Sequence, residues 1–143
     1  LKVRLGDAAP VIGALPNAWG EMSALVTTAA TATRSLVLSE REATGPGAEP
    51  RFLINDMTFP PPLAARSDDV EIWSVKNDSE MDHPFHLHGM FFQVLDVDGA
   101  VPAHSGWKDT VNVPQKKTLR FAVKYGRPGR WMYHCHILEH AER

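Results

Sequence analysis

The sequence predicts an all-β fold of the sandwich or barrel class. About seven short runs of β-forming residues follow one another from residue 35 onward, and Gly, Pro, Asn and Asp separate them. Short strands at such even spacing are typical of sandwiches and barrels. A chain of 143 residues is long enough for one domain with a sizeable core and an additional segment.

The N-terminal segment, residues 1–34, is predicted to be a connector. It holds Pro10, Gly13, Pro16 and Gly20, and it has no sustained period of 2 or 3.6 residues in its hydrophobic pattern. Residues 35–143 are then predicted to form the domain. The chain lacks an initiator Met and a signal-peptide pattern, so we expect it to be processed or cut from something longer.

The predicted strands follow in order along the domain. Alternation of apolar and polar residues is clearest over 70–75 and over 85–97, where it runs through a histidine-rich stretch. An Asn55-Asp56 turn falls inside the second segment, and a short helix is expected over 137–143. The predicted strand segments are 35–39, 51–59, 70–75, 85–97, 108–113, 118–125 and 130–135.

The amino-acid composition gives no reason to expect a nucleic acid or a membrane as a partner. The chain is 43% hydrophobic and 22% charged, with a formal net charge of −2, and its Lys and Arg residues form no long run or stripe. We therefore expect no nucleic-acid partner. No stretch approaches the roughly 20 apolar residues of a membrane span, so we expect no membrane partner. The acidic cluster Asp68, Asp69 and Glu71 is interpreted as a solvated strand entry.

The lone cysteine and the histidine clusters indicate metal binding. Cys135 is the only cysteine and lies between two histidines, and six of the seven histidines fall in two short clusters. A thiolate beside closely spaced imidazoles is a common metal-ligand pattern, whereas structural histidines are rarely grouped in this way. The clustered histidines are His83, His86, His88, His134, His136 and His140.

Strand geometry divides these ligands into two groups. Successive side chains of a strand point to opposite faces, so His134 and His136 share a face and Cys135 points the other way. By the same reasoning His86 and His88 share a face. The expected groups are His83 with Cys135 and His140, and His86 with His88, His134 and His136.

The first group is two imidazoles and one thiolate, the set that blue copper sites use with a weak axial ligand. The same residues could bind zinc in a structural module, but zinc usually takes a fourth strong ligand and none is evident. Copper is therefore favoured over zinc.

Three motifs carry a resemblance to a known family. They are His-Pro-Phe-His-Leu-His-Gly over 83–89, Trp-Lys-Asp-Thr-Val-Asn-Val-Pro over 107–114 and Gly-Arg-Trp-Met-Tyr-His-Cys-His-Ile-Leu-Glu-His over 129–140. In this order they resemble the C-terminal cupredoxin domain of a multicopper oxidase of the laccase and bacterial copper-oxidase kind. The resemblance implies a cupredoxin-like Greek-key β-sandwich behind an interdomain connector. Residues 35–82 match the family more loosely.

The resemblance also implies a role for each ligand. His83, Cys135 and His140 would hold a type 1 copper, His86 a type 2 copper, and the type 3 pair would be bound by His88, His134 and His136. The implied enzyme oxidises phenols, aromatic amines or metal ions one electron at a time. Electrons then pass through Cys135 to His134 and His136, and dioxygen is reduced to water at the trinuclear cluster. His83, Cys135, His134 and His136 are thus the expected catalytic residues.

Some parts of the family pattern are missing from this chain. The axial-ligand position of the type 1 site falls after Arg143, and Ala141 stands where many bacterial relatives have an acidic residue. The trinuclear cluster needs as many histidines again, and only His104 is left. We therefore expect an incomplete fragment, truncated at its C-terminus, whose partner is the N-terminal part of the same oxidase. A periplasmic or extracellular location follows from the resemblance alone.

Alternatives of other classes stay open at this point. A stand-alone electron-transfer or copper-binding domain would need only the first group of ligands. A copper nitrite reductase fits poorly, because histidines flank Cys135 on both sides. Asp82 and Asp109 are candidates to support ligand histidines, while Phe85, Trp107 and Trp131 are interpreted as packing residues.

Overall fold

Two β-sheets make up the described fold. The computed structural model describes residues 22–48, 50–104, 106–137 and 140. A short 3₁₀ helix, Thr27–Ala29, precedes the first strand. The strands are β1 (Ala32–Arg41), β2 (Arg51–Ile54), β3 (Val70–Asn77), β4 (His83–Leu87), β5 (Phe92–Val97), β6 (Trp107–Lys108), β7 (Thr110–Val113), β8 (Thr118–Lys124) and β9 (Tyr133–Cys135). The predicted all-β class is confirmed.

Parts of two predicted segments lie outside the described residues. These are residues 1–21 of the connector and most of the C-terminal helix, of which only 137 and 140 are described. The division between connector and domain stays a prediction, although β1 begins at Ala32 and so already includes the last residues assigned to the connector. None of the helical segments in the described ranges has the length and hydropathy needed to cross a membrane.

The larger sheet has six strands in the order β2-β1-β3-β8-β5-β6, and the smaller sheet has three in the order β7-β4-β9. Strands β1 and β3 pair in parallel, and the other pairings in the described ranges are antiparallel. The parallel pair begins at Ala32 opposite Glu71. Strand β1 starts earlier than the sequence pattern predicts because it pairs with β3, and local propensity does not explain this early start.

Both sheets contribute to one core. Trp73 of β3 and Phe121 of β8 stack with ring centroids 5.8 Å apart, and Phe85 of β4 lies 6.3 Å from Trp73 and 5.9 Å from Phe121. Phe85, Phe92 and Phe121 are all 0% exposed. The interpretation of Phe85 as a packing residue is therefore confirmed, and it fixes the small sheet against the large one.

A buried ion pair ties β1 to β3 and β8. Glu71 is 2% exposed, and it accepts hydrogen bonds from Arg34 Nε at 2.9 Å, Trp73 Nε1 at 3.2 Å and Tyr125 OH at 2.8 Å. Burial alone would raise the pKa of the Glu71 carboxyl, but the hydrogen bonds together hold that pKa below its ordinary value. The interpretation of Glu71 as part of a solvated cluster is wrong, because β3 turns this carboxylate towards Arg34 and Tyr125.

Two predicted strands are each split between the sheets. The segment predicted over 85–97 becomes β4 and β5, which belong to different sheets, and 108–113 becomes β6 and β7 in the same way. The first break contains Gly89 with φ of 74°, a conformation that L side chains rarely adopt. A Cβ built at Gly89 would overlap ring carbons of Trp131. Two features therefore require glycine at position 89: its positive φ and the indole of Trp131 that lies against it.

Replacing Gly89 by alanine is expected to destabilise the protein by about 2–5 kcal/mol, the sum of a left-handed backbone penalty and of overpacking against Trp131. Gly99→Ala is the matched control, because Gly99 has φ of 81° but nothing within 4 Å of an added Cβ. It should lose only about 1–2 kcal/mol. Denaturant titration of the complete protein measures both losses. Equal losses in the two variants would mean that the contact with Trp131 contributes nothing.

Candidate metal centre

Pairing of β4 with β9 brings the two histidine clusters side by side. Phe85 lies opposite Cys135, His86 opposite His134 and Leu87 opposite Tyr133. The Tyr133 ring packs against Trp73 of the large sheet at a centroid distance of 5.4 Å. This contact holds β9 over the core, and the order of residues along β9 then decides which side chain faces which partner.

The first group surrounds the sulfur of Cys135. His83 Nδ1 lies 3.4 Å from Cys135 Sγ, and His140 Nδ1 lies 3.5 Å from the same sulfur. The three potential ligand atoms all lie within 4.8 Å of one another. The structure therefore brings together the three residues that the sequence grouped.

Burial shifts the pKa values of two residues of this group, His83 and Cys135. Burial lowers the pKa of His83, and the carboxylate of Glu40, 3.6 Å from His83 Nε2, opposes that shift. Burial raises the pKa of the Cys135 thiol, against a backbone hydrogen bond from Ile137. The lowered pKa of His83 favours the neutral imidazole, which is the form that binds a metal, and the Cys135 thiol must release a proton when a metal binds.

The ring of His83 is held from behind by Ser79. Ser79 Oγ lies 2.7 Å from His83 Nε2 and 2.7 Å from Asn77 Oδ1. The amide nitrogen of Asn77 donates to the backbone oxygens of Met81 and Val113, so its oxygen is the acceptor for Ser79. Because the Ser79 hydroxyl donates to Asn77, it accepts from His83 Nε2–H. The lone pair of His83 Nδ1 is then directed to the side of Cys135.

A second aromatic ring covers His140. Phe52 of β2 stacks on His140 with ring centroids 3.2 Å apart and an angle of 17° between the planes. Sequence reasoning missed Phe52, Ser79, Asn77 and Glu40. Phe52 and Glu40 come from strands far away in the chain and carry no motif. The Asn-x-Ser spacing ahead of His83 is a local pattern that could have been noticed.

The second group lies on the other face of β9. Potential ligand atoms of His86, His88 and His134 lie within 4.8 Å of one another, and Nε2 of His88 is 2.8 Å from Nε2 of His134. The His136 ring lies beside them, with its centroid 5.4 Å from that of His86 and 5.5 Å from that of His134. All four imidazoles of the second expected group are therefore neighbours.

Backbone carbonyls orient two of these rings. His86 Nδ1 lies 2.9 Å from the backbone oxygen of Asp109, and His134 Nδ1 lies 2.8 Å from that of Cys135. A carbonyl oxygen can only accept, so each Nδ1 carries the proton and each Nε2 keeps its lone pair. Burial, followed by the neighbouring imidazoles, lowers the pKa of His88. His86 and His134 can thus present their Nε2 lone pairs to a cation.

Several supporting residues differ from expectation. Asp109 holds His86 through its backbone oxygen rather than its carboxylate. Asp82 accepts from Asn112 Nδ2 at 2.7 Å and from the Gln115 backbone at 2.9 Å, so it secures the start of β4. Trp107 and Trp131 are 46% and 42% exposed, so neither is a core residue. Trp131 is nevertheless a packing residue, because its ring lies against Gly89. Both tryptophans lie where the chain passes from one sheet to the other.

A cavity of about 610 Å³ borders the first group. His83, Cys135 and His140 form part of its lining, and so does Phe52, which stacks on His140. Much of the remaining lining is apolar and is contributed by the 58–65 segment and by 128–132. Cavities of this size hold small organic molecules.

The chemistry of the donors fits copper. A buried thiol with two imidazole nitrogens directed to it is a soft, three-membered set, which suits copper with a weak further ligand. The second group offers nitrogen donors only, which also suits copper. The ligand roles themselves stay predictions.

Comparison with known proteins identifies relatives along most of the described chain. The profile of a family described as "Multicopper oxidase" matches residues 27–143. A "Multicopper oxidase mco" of Staphylococcus epidermidis is 34% identical over 105 residues, covering 67% of this chain and 24% of the relative. A "Laccase" of Bacillus subtilis is 34% identical over 116 residues, covering 65% of this chain and 23% of the relative.

A solved structure agrees with these sequence matches. The laccase of Pediococcus acidilactici superimposes with a TM-score of 0.72 and 36% identity, covering 88% of this chain and 28% of that structure. The chain spans about a quarter of the length of the curated relatives that it matches.

Proposed function

The chain belongs to the multicopper oxidase family and has its cupredoxin-like fold, and from that premise we propose that it supplies the type 1 copper site of a laccase-like oxidase. His83, Cys135 and His140 are the proposed ligands of that site. His86 is proposed for the type 2 copper, and His88, His134 and His136 for the type 3 pair. The observation that carries the proposal is the opposed placement of neighbouring side chains on β9, with Cys135 Sγ beside His83 and His140, and His134 beside His88.

The overall reaction would couple two half-reactions. Four phenol molecules each lose one electron and one proton, and one dioxygen takes up four electrons and four protons to give two water molecules. Aromatic amines or metal ions are alternative electron donors. Copper, when bound to these residues, would supply the reversible one-electron chemistry that amino-acid side chains lack.

The residues of this chain have distinct parts in that reaction. Cys135 links the two donor groups by covalent bonds, because its neighbours in sequence, His134 and His136, belong to the second group. His83 and Cys135 are 2% and 9% exposed, so little of the surroundings of the sulfur is open to water. His140 borders the cavity, which places an imidazole edge where an electron donor can approach.

The four imidazoles of the second group need further ligands from outside this chain. We propose that the N-terminal part of the same oxidase supplies them, in line with the share of the relatives that this chain spans. We also propose that residues 35–143 form the domain and that residues 1–34 connect it to the preceding one.

Metal content and oxygen consumption test the proposed function. The full-length oxidase that contains this chain should hold copper in excess of one ion per polypeptide, and it should consume oxygen when a phenol is added. Removing copper with a chelator should abolish oxygen uptake, and copper but not zinc should restore it. A single copper with a blue absorption band and no oxygen uptake would instead support a stand-alone electron-transfer domain. Zinc in the purified protein at both donor groups would contradict the oxidase.

A further inference from the structure

The cavity beside the first group carries an unbalanced positive charge. Its lining includes three arginines, Arg66, Arg127 and Arg130, and no Asp or Glu among the residues that the structure describes. All three arginines are exposed. In the described part of the chain none of them forms an ion pair with a carboxylate, although Arg34 and Arg120 both do. Their charges therefore act on whatever enters the cavity.

The rest of the lining is suited to an aromatic ring. Phe52, Phe59, Leu63, Trp131 and Met132 all contribute to it, and Phe59 and Met132 are 86% and 64% exposed. Aromatic and methionine side chains exposed around one cavity are typical of a ligand site. Ser39 and Tyr133 also line it, and among the described residues their buried hydroxyl groups have no hydrogen-bond partner. Buried hydroxyls normally have one.

We propose that this cavity binds the reducing substrate and that it selects anionic aromatic donors, namely phenols that carry a carboxylate or sulfonate group. This inference rests on the proposed function, because it assigns the donor that the first copper site would oxidise. The apolar walls receive the ring. The guanidinium groups favour the anion, since arginine matches the planar geometry of carboxylates and is weakly hydrated.

The same charge distribution disfavours metal cations as donors. Charges within about 10 Å of one another interact appreciably at moderate ionic strength, and a cavity lined with one sign of charge concentrates the opposite sign. Glu40, the carboxylate nearest to His83, does not line the cavity. Among the residues that the structure describes, the lining has three positive charges and no acid, so the cavity repels a metal ion and attracts an anion.

Steady-state kinetics with a matched pair of donors tests the selectivity. Syringate and its methyl ester share the same phenol ring but differ by one negative charge. In the full-length copper-loaded oxidase we expect a lower KM for syringate. Each of the changes Arg66→Gln, Arg127→Gln and Arg130→Gln should raise that KM about two- to fivefold and leave the KM of the ester nearly unchanged. In the triple variant the KM for syringate should rise about tenfold or more.

A charge-matched control separates a local effect from a change in total charge. Lys117→Gln also removes one positive charge, but Lys117 is paired with Asp98 at 3.0 Å and does not line the cavity. It should leave the ratio of the two KM values unchanged. A similar change of that ratio in Lys117→Gln and in the arginine variants would overturn the inference. So would an unchanged ratio in the triple arginine variant.

Binding to the copper-free oxidase gives a readout that does not depend on catalysis. Naphthalene-2-sulfonate should bind more tightly than naphthalene-2-methanol, and the triple arginine variant should lose this difference. Added salt should reduce it as well. Equal binding of the two probes to the unmodified protein contradicts the inference.

The kinetic and the binding experiments together also separate a failure of the selectivity from a failure of the proposed function on which it rests. If the ester is oxidised with oxygen uptake and charge makes no difference in either arm, only the selectivity is wrong. If neither donor is oxidised by copper-loaded protein, the proposed oxidase function fails. The binding arm then still decides whether the cavity prefers anions.

Discussion

Replacing Cys135 by serine is expected to abolish the blue absorption band of the copper-loaded oxidase and to lower its oxygen uptake with a phenol by about 1,000-fold or more. A thousandfold loss corresponds to a barrier about 4 kcal/mol higher. The hydroxyl oxygen is a hard, poorly ionised donor, so it cannot replace a thiolate as the soft ligand between two imidazoles. The serine is still bonded to His134 and His136, but without the thiolate that path no longer begins at a soft copper ligand. Absorption spectroscopy and an oxygen electrode measure the two effects.

A histidine outside both groups provides the control. His104 is exposed in a loop and belongs to neither donor group, so His104→Ala should retain both the band and the activity. If the proposed assignment is right, copper analysis of the Cys135→Ser protein should reveal loss of the ion at the Cys135 group while copper at the all-histidine group is kept. Full activity with an intact blue band in the serine variant would refute the assignment of Cys135 as a copper ligand.

Phe121→Ala is expected to produce the largest loss of stability among substitutions away from the metal ligands, about 3–5 kcal/mol. Phe121 is 0% exposed, and its ring lies between Trp73, Phe85 and Phe92, with the Phe92 centroid only 4.3 Å away. Alanine would leave a cavity where the two sheets meet. A shift of the thermal unfolding midpoint by about 10 °C should accompany the loss.

Phe91→Ala is the matched control for that prediction. The Phe91 ring is 61% exposed, and substitutions at such surface positions usually change stability by about 0.5 kcal/mol or less. Scanning calorimetry of the full-length oxidase compares the two variants under one protocol. If Phe121→Ala unfolds at the same temperature as Phe91→Ala, then the ring of Phe121 contributes no more than a solvent-exposed one.

The grouping of the proposed metal ligands could be predicted because it depends on short-range geometry. Two histidines on either side of Cys135 must face away from it in a strand, whatever the rest of the fold does. The same alternation relates His86 to His88 and needs no knowledge of the sheet. The pairing of β4 with β9 could not be deduced in this way, because it joins segments that are far apart in the chain.

The contacts around the ligands could not be predicted, because they come from other strands. Phe52 reaches His140 from β2, and Glu40 reaches His83 from β1. Neither residue has a neighbour in sequence that suggests a role. The buried state of Glu71 escaped prediction for the same reason, since its partners Arg34 and Tyr125 lie on β1 and directly after β8.

The predicted strand boundaries are wrong at the points where the chain passes from one sheet to the other. Alternation continues through His88 to Phe92, so the pattern alone gives one strand from 85 to 97. The break at Gly89 depends on a positive φ and on the position of the Trp131 ring. A glycine inside an alternating run was the only local indication of that corner.

The hydrogen bond between Ser79 and His83 has a consequence for how the oxidase acquires its metal. A side chain that becomes ordered only when it binds an ion loses rotational freedom in that step, and this loss lowers the affinity for the ion. Here that ordering is completed when the polypeptide folds, with Asn77 fixed by two backbone oxygens and Ser79 fixed by Asn77. The imidazole of His83 is therefore already ordered, and in the proposed function its binding to an ion costs little further rotational freedom.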